Sequence, residues 1–178
     1  MCSHAHLIGS GFVGFVRCNN RNCVQPYAHL EPLVLVTNVG VVHGHGVIAR
    51  CDIAKGTVVC TYTGVSDSHL YQNNRSQYVL TVPWVNPETK QTEPFWIIDS
   101  VDKDNTAGRY INDPLGTGKS ANVLFTTLPH TVHPVLTHRY YINVVACKDI
   151  KKGEELLVEY GVEYWRTGRI MVNNFVSY

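Results

Sequence analysis

The sequence has few charged residues, and neither positive nor negative charge is in strong excess. Fifteen lysines and arginines stand against 14 aspartates and glutamates, the formal net charge is +1, and charged residues make up 16% of the 178 residues. Proteins that bind nucleic acid show a clear basic excess, so no direct nucleic-acid binding is expected. With 44% hydrophobic residues, the chain can build a core, and a disordered chain is not expected.

Long hydrophobic runs are also missing. No apolar stretch approaches the roughly 20 residues that cross a bilayer. The first residues, Met1–His6, lack a basic region that leads into a long apolar one, so no signal peptide is predicted. We therefore expect no membrane association and an intracellular protein, in the nucleus or the cytoplasm.

Cysteines are present but form no tight repeat. The six stand at positions 2, 18, 23, 51, 60 and 147, and in an intracellular chain free thiols are the default. His4 and His6 could be combined with Cys18 and Cys23 into a zinc site, but the spacing is loose and a second cysteine pair is missing. No metal site is predicted.

What the sequence does contain favours strands. It has 25 valines and 14 threonines against 7 alanines, and β-branched residues suit pleated sheets better than helices. Helical periodicity is weak: Ser66–Ser76 is the best candidate for a short helix, and Asp102–Tyr110 for a single turn. Short apolar runs closed by Gly, Pro, Asn or Asp predict strands at 33–36, 41–42, 47–49, 58–62, 78–82, 96–98, 122–125 and 140–145.

The string Gly116-Thr117-Gly118-Lys119-Ser120 resembles the end of a phosphate-binding P-loop. That motif requires a glycine at position 113, where this chain has Asp113, and a helix after the loop, where Asn122–Phe125 predicts a strand. A connecting loop is therefore favoured. A nucleotide-binding protein is the third functional class that the sequence leaves open.

A second set of motifs is spread over more than a hundred residues. In chain order its members are Gly44–Ala49, Asp52–Gly56, Tyr62–Gly64, Tyr78–Leu80, Ile97–Asp99, Gly108–Asn112 and Ala146–Gly161. In this order they resemble the SET domain, the fold of most protein-lysine methyltransferases. Gly108–Asn112 is similar to the family's Gly-Arg-aromatic-aliphatic-Asn, and Gly153–Gly161 to its Gly-Glu-Glu-Leu-x-x-acid-Tyr-Gly. The resemblance covers about residues 40–166.

The resemblance implies a mainly β, SET-domain fold of several small sheets, in which a late segment threads under an earlier connection as a C-terminal pseudoknot. Physical rules for chain topology alone would not propose such threading, because knot-like paths are rare. We predict an N-terminal extension at residues 1–30, the SET domain at 31–166, and an apolar tail at 167–178 that docks on the domain.

The resemblance also implies a function: S-adenosylmethionine-dependent methyl transfer to the side-chain amine of lysine in a protein. The expected substrate is a histone tail bound as an added strand, which would make the protein a chromatin regulator. The alternative is a catalytically silent SET-like interaction module that binds cofactor or a peptide without turnover.

Site residues are assigned from the resemblance by position. It implies catalytic roles for Tyr160 and Tyr62, and places Tyr78 and Val158 in the substrate channel. Glycines let backbone approach a ligand closely, and an asparagine amide both donates and accepts hydrogen bonds. The implied cofactor-binding residues are His43, Gly44, His45, Gly46, Asn112, Asp113 and Trp165.

The chain departs from the family pattern in three places. Asp113 stands where the family has a histidine, and Pro114–Asn122 replaces the usual Ser-Cys-x-Pro-Asn ending. The family's cysteine-rich zinc tail is also missing, so residues 162–178 are expected to form the C-terminal wall of the channel, with Tyr164, Trp165 and Phe175 as candidates. Asp113 and the replaced segment after it motivate the silent-module alternative, whereas the intact Tyr62, Asn112 and Tyr160 favour the enzyme.

Overall fold

The computed structural model describes residues 30–65, 76–85, 89, 92–101, 106–126, 140–167 and 169–171. Over these residues the fold is mainly β, as predicted. A 3-10 helix spans Ala107–Tyr110, and one α-helix, α1, spans Val162–Thr167. The strands are β1 (Val34–Thr37), β2 (Gly46–Ala49), β3 (Val58–Gly64), β4 (Val79–Val85), β5 (Thr92–Asp99), β6 (Val123–Thr126), β7 (Tyr140–Ala146), β8 (Glu155–Leu156) and β9 (Arg169–Met171).

Three small sheets of three strands each make up the described part of the fold. Their strand orders are β1-β2-β8, β3-β7-β6 and β5-β4-β9. Neighbouring strands are antiparallel, except that β4 and β9 pair in parallel. Because β8 and β9 join sheets that begin much earlier in the chain, late segments complete two of the three sheets.

The β-branched runs explain where strands form. In β1, Val34 and Val36 are buried while Leu35 between them is 38% exposed, which is the alternation of a strand with one face on the core. Strand β7 is central in its sheet, and its Ile142 and Val144 are fully buried. Strands β1 to β7 each overlap a predicted run, which confirms those seven predictions.

The remaining predictions of local structure differ in outcome. The strand predicted at 41–42 is wrong: these residues lie in bends, and the Val42 amide donates to the Glu155 carboxylate at 3.0 Å instead of to a sheet. The turn predicted within 102–110 corresponds to the 3-10 helix, while residues 66–75 of the predicted helix lie outside the described residues. Periodicity does not predict α1, β8 or β9, because each is too short to register.

The segment at residues 157–158 lies between two earlier segments. The Val158 amide donates to the Asn112 carbonyl at 3.0 Å, and Asn112 forms a parallel bridge with Leu157. On the other side, the amides of Asn122 and Val123 donate to the Leu157 carbonyl at 3.0 and 3.1 Å. The connection from 112 to 122 is therefore bonded to both sides of the late segment, as in the predicted pseudoknot.

One cluster of buried apolar side chains joins the three sheets. It contains Val34 of the first sheet, Ile142 of the second and Leu80 of the third. Leu156 of β8 and Ile111, just after the 3-10 helix, are also fully buried in it. The core therefore holds residues 111 and 156 in place on either side of the threaded contact.

Several sequence predictions concern features beyond the sheets. Among the described residues, no helix is long and apolar enough to cross a membrane, and no group of three or more His, Cys, Asp or Glu side chains could hold a metal ion. The described cysteines, Cys51, Cys60 and Cys147, are free thiols. The residues weighed for zinc, Phe175, and most of the predicted extension and tail lie outside the described residues, so the domain boundaries stay predictions.

A buried carboxylate joins the segment before β1 to the 3-10 helix. Glu31 is only 3% exposed; its Oε1 accepts a hydrogen bond from the Thr61 amide at 2.9 Å, and its Oε2 one from the Ala107 amide at 2.7 Å. Burial raises the pKa of Glu31 to about 7, although these hydrogen bonds act in the opposite direction. Glu31 therefore keeps its proton in weakly acidic solution.

We predict that Glu31 makes the protein less stable as the pH rises. Its folded-state pKa is the higher one, so its contribution is complete below the unfolded pKa and is lost as the pH passes about 7. Between about pH 5 and about pH 8, the free energy of unfolding should fall by up to roughly 3 kcal/mol more in the wild type than in Glu31→Gln. Urea unfolding across that range measures the difference; equal slopes would contradict the prediction.

Candidate active site

A cleft of about 750 Å³ gathers nearly all of the predicted site residues. Of these residues, only Gly46 and Val158 do not line it. The others come from the bends before β2, from β3, from the position just before β4, from the chain that follows the 3-10 helix, and from the segment around α1. The lining consists of residues 42–45, 62, 77–78, 108–113, 115–117, 125, 160 and 164–165.

The bends before β2 form a loop whose glycines are required by geometry. Gly44 has a φ of 44°, in the left-handed region that favours glycine. A Cβ on Gly46 would lie 2.7 Å from Oε1 of Glu155 and 2.7 Å from a methyl carbon of Val41. The absence of a side chain at Gly46 therefore lets Glu155 and Val41 pack closely against the loop, while residues 43–45 line the cleft.

Asn112 holds this loop with its side-chain nitrogen. Nδ2 lies 3.0 Å from the His43 carbonyl oxygen, 3.1 Å from the His45 carbonyl oxygen and 3.1 Å from Oε1 of Glu155. Three oxygen acceptors around one atom identify it as the amide nitrogen. The histidines thus contribute backbone carbonyls, and a direct contact between Asn112 and a cofactor would fall to the amide oxygen.

Glu155 is a site residue that the sequence reasoning missed. Its side chain is 2% exposed, and its carboxylate accepts from the Val42 amide at 3.0 Å and from Asn112 Nδ2 at 3.1 Å. Lys119 Nζ lies 3.5 Å from Oε2. The only signal was its place in the Gly153–Gly161 motif, which indicated a family but no contact.

Two tyrosine hydroxyls are anchored to backbone carbonyls in the cleft. The Tyr62 hydroxyl donates to the Tyr78 carbonyl at 2.6 Å, and the Tyr160 hydroxyl donates to the Ile111 carbonyl at 2.6 Å. Burial raises the pKa of both phenols well above the ordinary value. Both hydroxyls therefore stay protonated at neutral pH and are poor bases. Each donates its one proton to a carbonyl, and its oxygen can accept a hydrogen bond from another group.

Arg109 is a second residue that the sequence reasoning left without a role. Its guanidinium carbon lies 3.9 Å from the ring centroid of Tyr78 and 5.4 Å from that of Tyr110. A hydrogen bond from Arg109 lowers the pKa of Tyr78. The cleft thus has a cation beside Tyr78, and the signal was the Arg in the Gly108–Asn112 motif.

Three aromatic rings cluster at the C-terminal side of the cleft. The rings of Tyr160 and Tyr164 meet edge to face with centroids 4.6 Å apart, and Trp165 lies 6.5 Å from Tyr160 in a stacked arrangement. Trp165 is 54% exposed. A half-exposed Trp on the rim of a cleft has a flat face available for a ring to stack on.

Asp113 makes contacts that a histidine could not make in the same way. Its Oδ1 accepts from the Leu115 amide at 2.6 Å, and its Oδ2 accepts from the Tyr160 amide at 2.7 Å. A neutral imidazole has one acceptor nitrogen, whereas a carboxylate has two acceptor oxygens. Asp113, which departs from the family pattern, therefore fixes the backbone at Tyr160 through a hydrogen bond that the family's histidine would not make in the same way.

Val158 lies elsewhere. Its side chain is 3% exposed and belongs to the apolar core, and its amide donates to the Asn112 carbonyl. Among the described residues that line the cleft, Val158 is absent. Its assignment to the substrate channel stays a prediction.

A family model and one solved structure agree with this architecture. The SET domain family model matches residues 44–161, and a comparison with curated protein sequences finds no match. The methyltransferase domain of human PR domain-containing protein 2 is similar, with a TM-score of 0.51, 20% identity, and coverage of 88% of this chain and 95% of that chain. A crystal structure of an active polycomb repressive complex 2 in the stimulated state gives a TM-score of 0.44 and 24% identity, over 72% of this chain and 15% of that chain.

We predict that Asn112→Ala loosens the loop at residues 43–46. The substitution removes the donor shared by two carbonyls and a buried carboxylate, and should cost about 1–3 kcal/mol of unfolding free energy. Amide hydrogen exchange in the loop should quicken. Asn38→Ala, at an exposed position, serves as the control and should stay within about 0.5 kcal/mol of the wild type. Equal exchange in both variants would remove Asn112 as the loop's anchor.

Proposed function

We propose that this chain, which belongs to the SET domain family, transfers methyl groups from S-adenosylmethionine to the side-chain amine of lysine in a protein. A histone tail is the expected substrate, which would place the protein in chromatin regulation. One observation carries the proposal: a single cleft is lined by the loop around Gly44, by Asn112 and by Tyr62, Tyr78 and Tyr160. These segments are far apart in sequence, and the proposed reaction needs them together.

The cleft fits a cofactor of this kind. Its volume of about 750 Å³ lies within the roughly 300–1,000 Å³ of small-molecule sites. The loop at residues 43–45 offers close backbone approach, Asn112 its amide oxygen, and Trp165 a half-exposed ring face. When bound, S-adenosylmethionine supplies a methyl group activated by a sulfonium.

The tyrosines act by positioning. Because their raised pKa values keep them protonated, Tyr62 and Tyr160 can orient an amine through their hydroxyl groups without removing its proton. Both hydroxyls are fixed by bonds to backbone carbonyls, so little reorganisation is needed when a substrate enters. Fixed orientation of the reacting groups is a major part of the rate gain in a displacement reaction.

The surroundings of the channel also favour a neutral lysine. Aromatic walls remove water from an ammonium group, which lowers its pKa. The guanidinium of Arg109, held over the Tyr78 ring, adds a positive charge that acts in the same direction. The amine can therefore lose its proton to solvent before transfer, without a dedicated base.

A labelling experiment tests the proposal against its alternative. The protein is incubated with S-adenosylmethionine that carries a labelled methyl group and with a panel of histones and lysine peptides. Transfer of label to lysine supports the enzyme. Cofactor binding without transfer to any protein favours the silent SET-like module. Binding of ATP without binding of S-adenosylmethionine would contradict both.

We predict that Tyr160→Phe lowers turnover and leaves cofactor binding intact. The ring remains, so the aromatic wall persists, and only the hydroxyl is lost. A well-directed hydrogen bond of roughly 1.5–3 kcal/mol corresponds to a ten- to hundredfold loss in rate. Turnover is measured at saturating cofactor and peptide, and cofactor affinity by calorimetry.

Tyr141→Phe is the matched control for Tyr160→Phe. It makes the same chemical change on β7, at a residue outside the cleft lining, and should leave turnover unchanged. If Tyr160→Phe also leaves turnover unchanged, Tyr160 is a packing residue and the site assignment fails.

A further inference from the structure

We propose that Asp113 and Lys119 are positioning residues at the two ends of one segment, Asp113–Lys119, which we call the strap. Lys119 holds the loop at residues 43–46 through Glu155, and Asp113 holds the backbone of Tyr160. The inference rests on the proposed function, because it names which step of that reaction each end supports. It also assigns a role to the glycine-rich string that resembles a P-loop.

The strap is an ordered turn structure that forms part of the cleft wall. The Thr117 amide donates to the Pro114 carbonyl at 3.0 Å, and the Thr117 hydroxyl donates to the same oxygen at 2.6 Å. Gly116 and Gly118 have φ values of 77° and 73°, which favour glycine. Residues 115–117 line the cleft. The glycines thus shape a wall, and the next regular element in the chain is strand β6 rather than a helix.

The Lys119 end of the strap reaches a buried carboxylate. Lys119 Nζ lies 3.5 Å from Oε2 of Glu155, with side-chain exposures of 50% and 2%. The same carboxylate accepts from Val42 and Asn112. Lys119 thus neutralises a charge on which the loop at residues 43–46 depends. A lysine committed to this ion pair is not placed for a nucleotide phosphate.

The Asp113 end of the strap contacts the catalytic segment. Its carboxylate accepts from the Tyr160 amide at 2.7 Å and from the Leu115 amide at 2.6 Å. It therefore joins the first turn of the strap to the backbone that carries the Tyr160 hydroxyl. Loss of this acceptor would shift the tyrosine without touching Glu155.

The two ends should consequently affect different measurements. Lys119 acts on Val42 and Asn112, which belong to the side of the cleft proposed for the cofactor. Asp113 acts on Tyr160, which is proposed to orient the amine. Weakening the contact between Lys119 and Glu155 should change cofactor affinity. Weakening the contact between Asp113 and the Tyr160 amide should change turnover at saturation.

The Lys119 experiment compares Lys119→Met, Lys119→Arg and Lys148→Met. We expect Lys119→Met to weaken S-adenosylmethionine binding by about three- to tenfold, with turnover at saturation changed less than about twofold. Lys119→Arg keeps the charge and should restore affinity. Lys148 bonds Ser120 beside the strap but not Glu155, so Lys148→Met should match the wild type. In a Glu155→Gln background, Lys119→Met should add no further loss.

The Asp113 experiment uses Asp113→Asn, which keeps one acceptor oxygen and loses the other. We expect turnover at saturating cofactor and peptide to fall by about tenfold or more, with cofactor affinity within about threefold of the wild type. If Asp113→Asn and Lys119→Met change the same quantity, or if neither differs from Lys148→Met, the proposal is overturned. If Asp113→Asn does not fold, the Lys119 series decides.

Hydrogen exchange in the cofactor-free protein separates this proposal from the proposed function. Lys119→Met should speed exchange of the Val42 amide by several-fold and spare the Tyr160 amide, and Asp113→Asn should do the reverse. Failure of the wild type to bind S-adenosylmethionine would refute the proposed function alone. Unchanged exchange at both amides would refute the strap, whatever the activity.

Discussion

The placement of residues 155–158 between two other segments is the constraint on which the site depends. Beyond the backbone bonds, the Asn122 side chain donates to the Glu155 carbonyl and accepts from the Leu157 amide, both at 2.8 Å. The Asn122 side chain therefore supplies hydrogen bonds to the backbone of residues 155–157 where regular strand pairing ends. With the segment fixed on both sides, the Glu155 carboxylate reaches Asn112, and the chain that leaves it brings Tyr160 to the cleft.

The polar groups of the cleft are largely held by the protein itself. The amide nitrogen of Asn112, the hydroxyl of Tyr160 and both oxygens of Asp113 have partners within the chain. Such groups need little rearrangement on binding, so the free-energy cost of ordering the site is met during folding. The buried Glu155 carboxylate joins three of these groups, because it contacts the Val42 amide, Asn112 Nδ2 and Lys119 Nζ.

The strands and the candidate site differed in how far they could be predicted. Runs such as 140–145 have a local cause, because β-branched side chains favour pleated backbone, and β7 formed there. Glu155 and Arg109 were visible in motifs, but the motifs do not show their partners. Glu155 contacts Asn112 and Val42, which lie 43 and 113 residues away, and Arg109 contacts the ring of Tyr78, just before β4. Nothing in their sequence neighbourhood marks such contacts. Lys119 was considered because its neighbours resemble a phosphate-binding loop, whereas in the structure it pairs with Glu155.

The sequence by itself determined the mainly β character, the loops closed by glycine and the order of motifs that indicates the SET domain family. These depend on backbone preferences and residue order, which are local properties. Only the tertiary structure decided that Asn112 would hold the carbonyls of His43 and His45, at separations of 69 and 67 residues, and that Asp113 would accept from the Tyr160 amide. Such bonds form only after the threaded segment is in place, because the closure of long loops brings their donors and acceptors within reach.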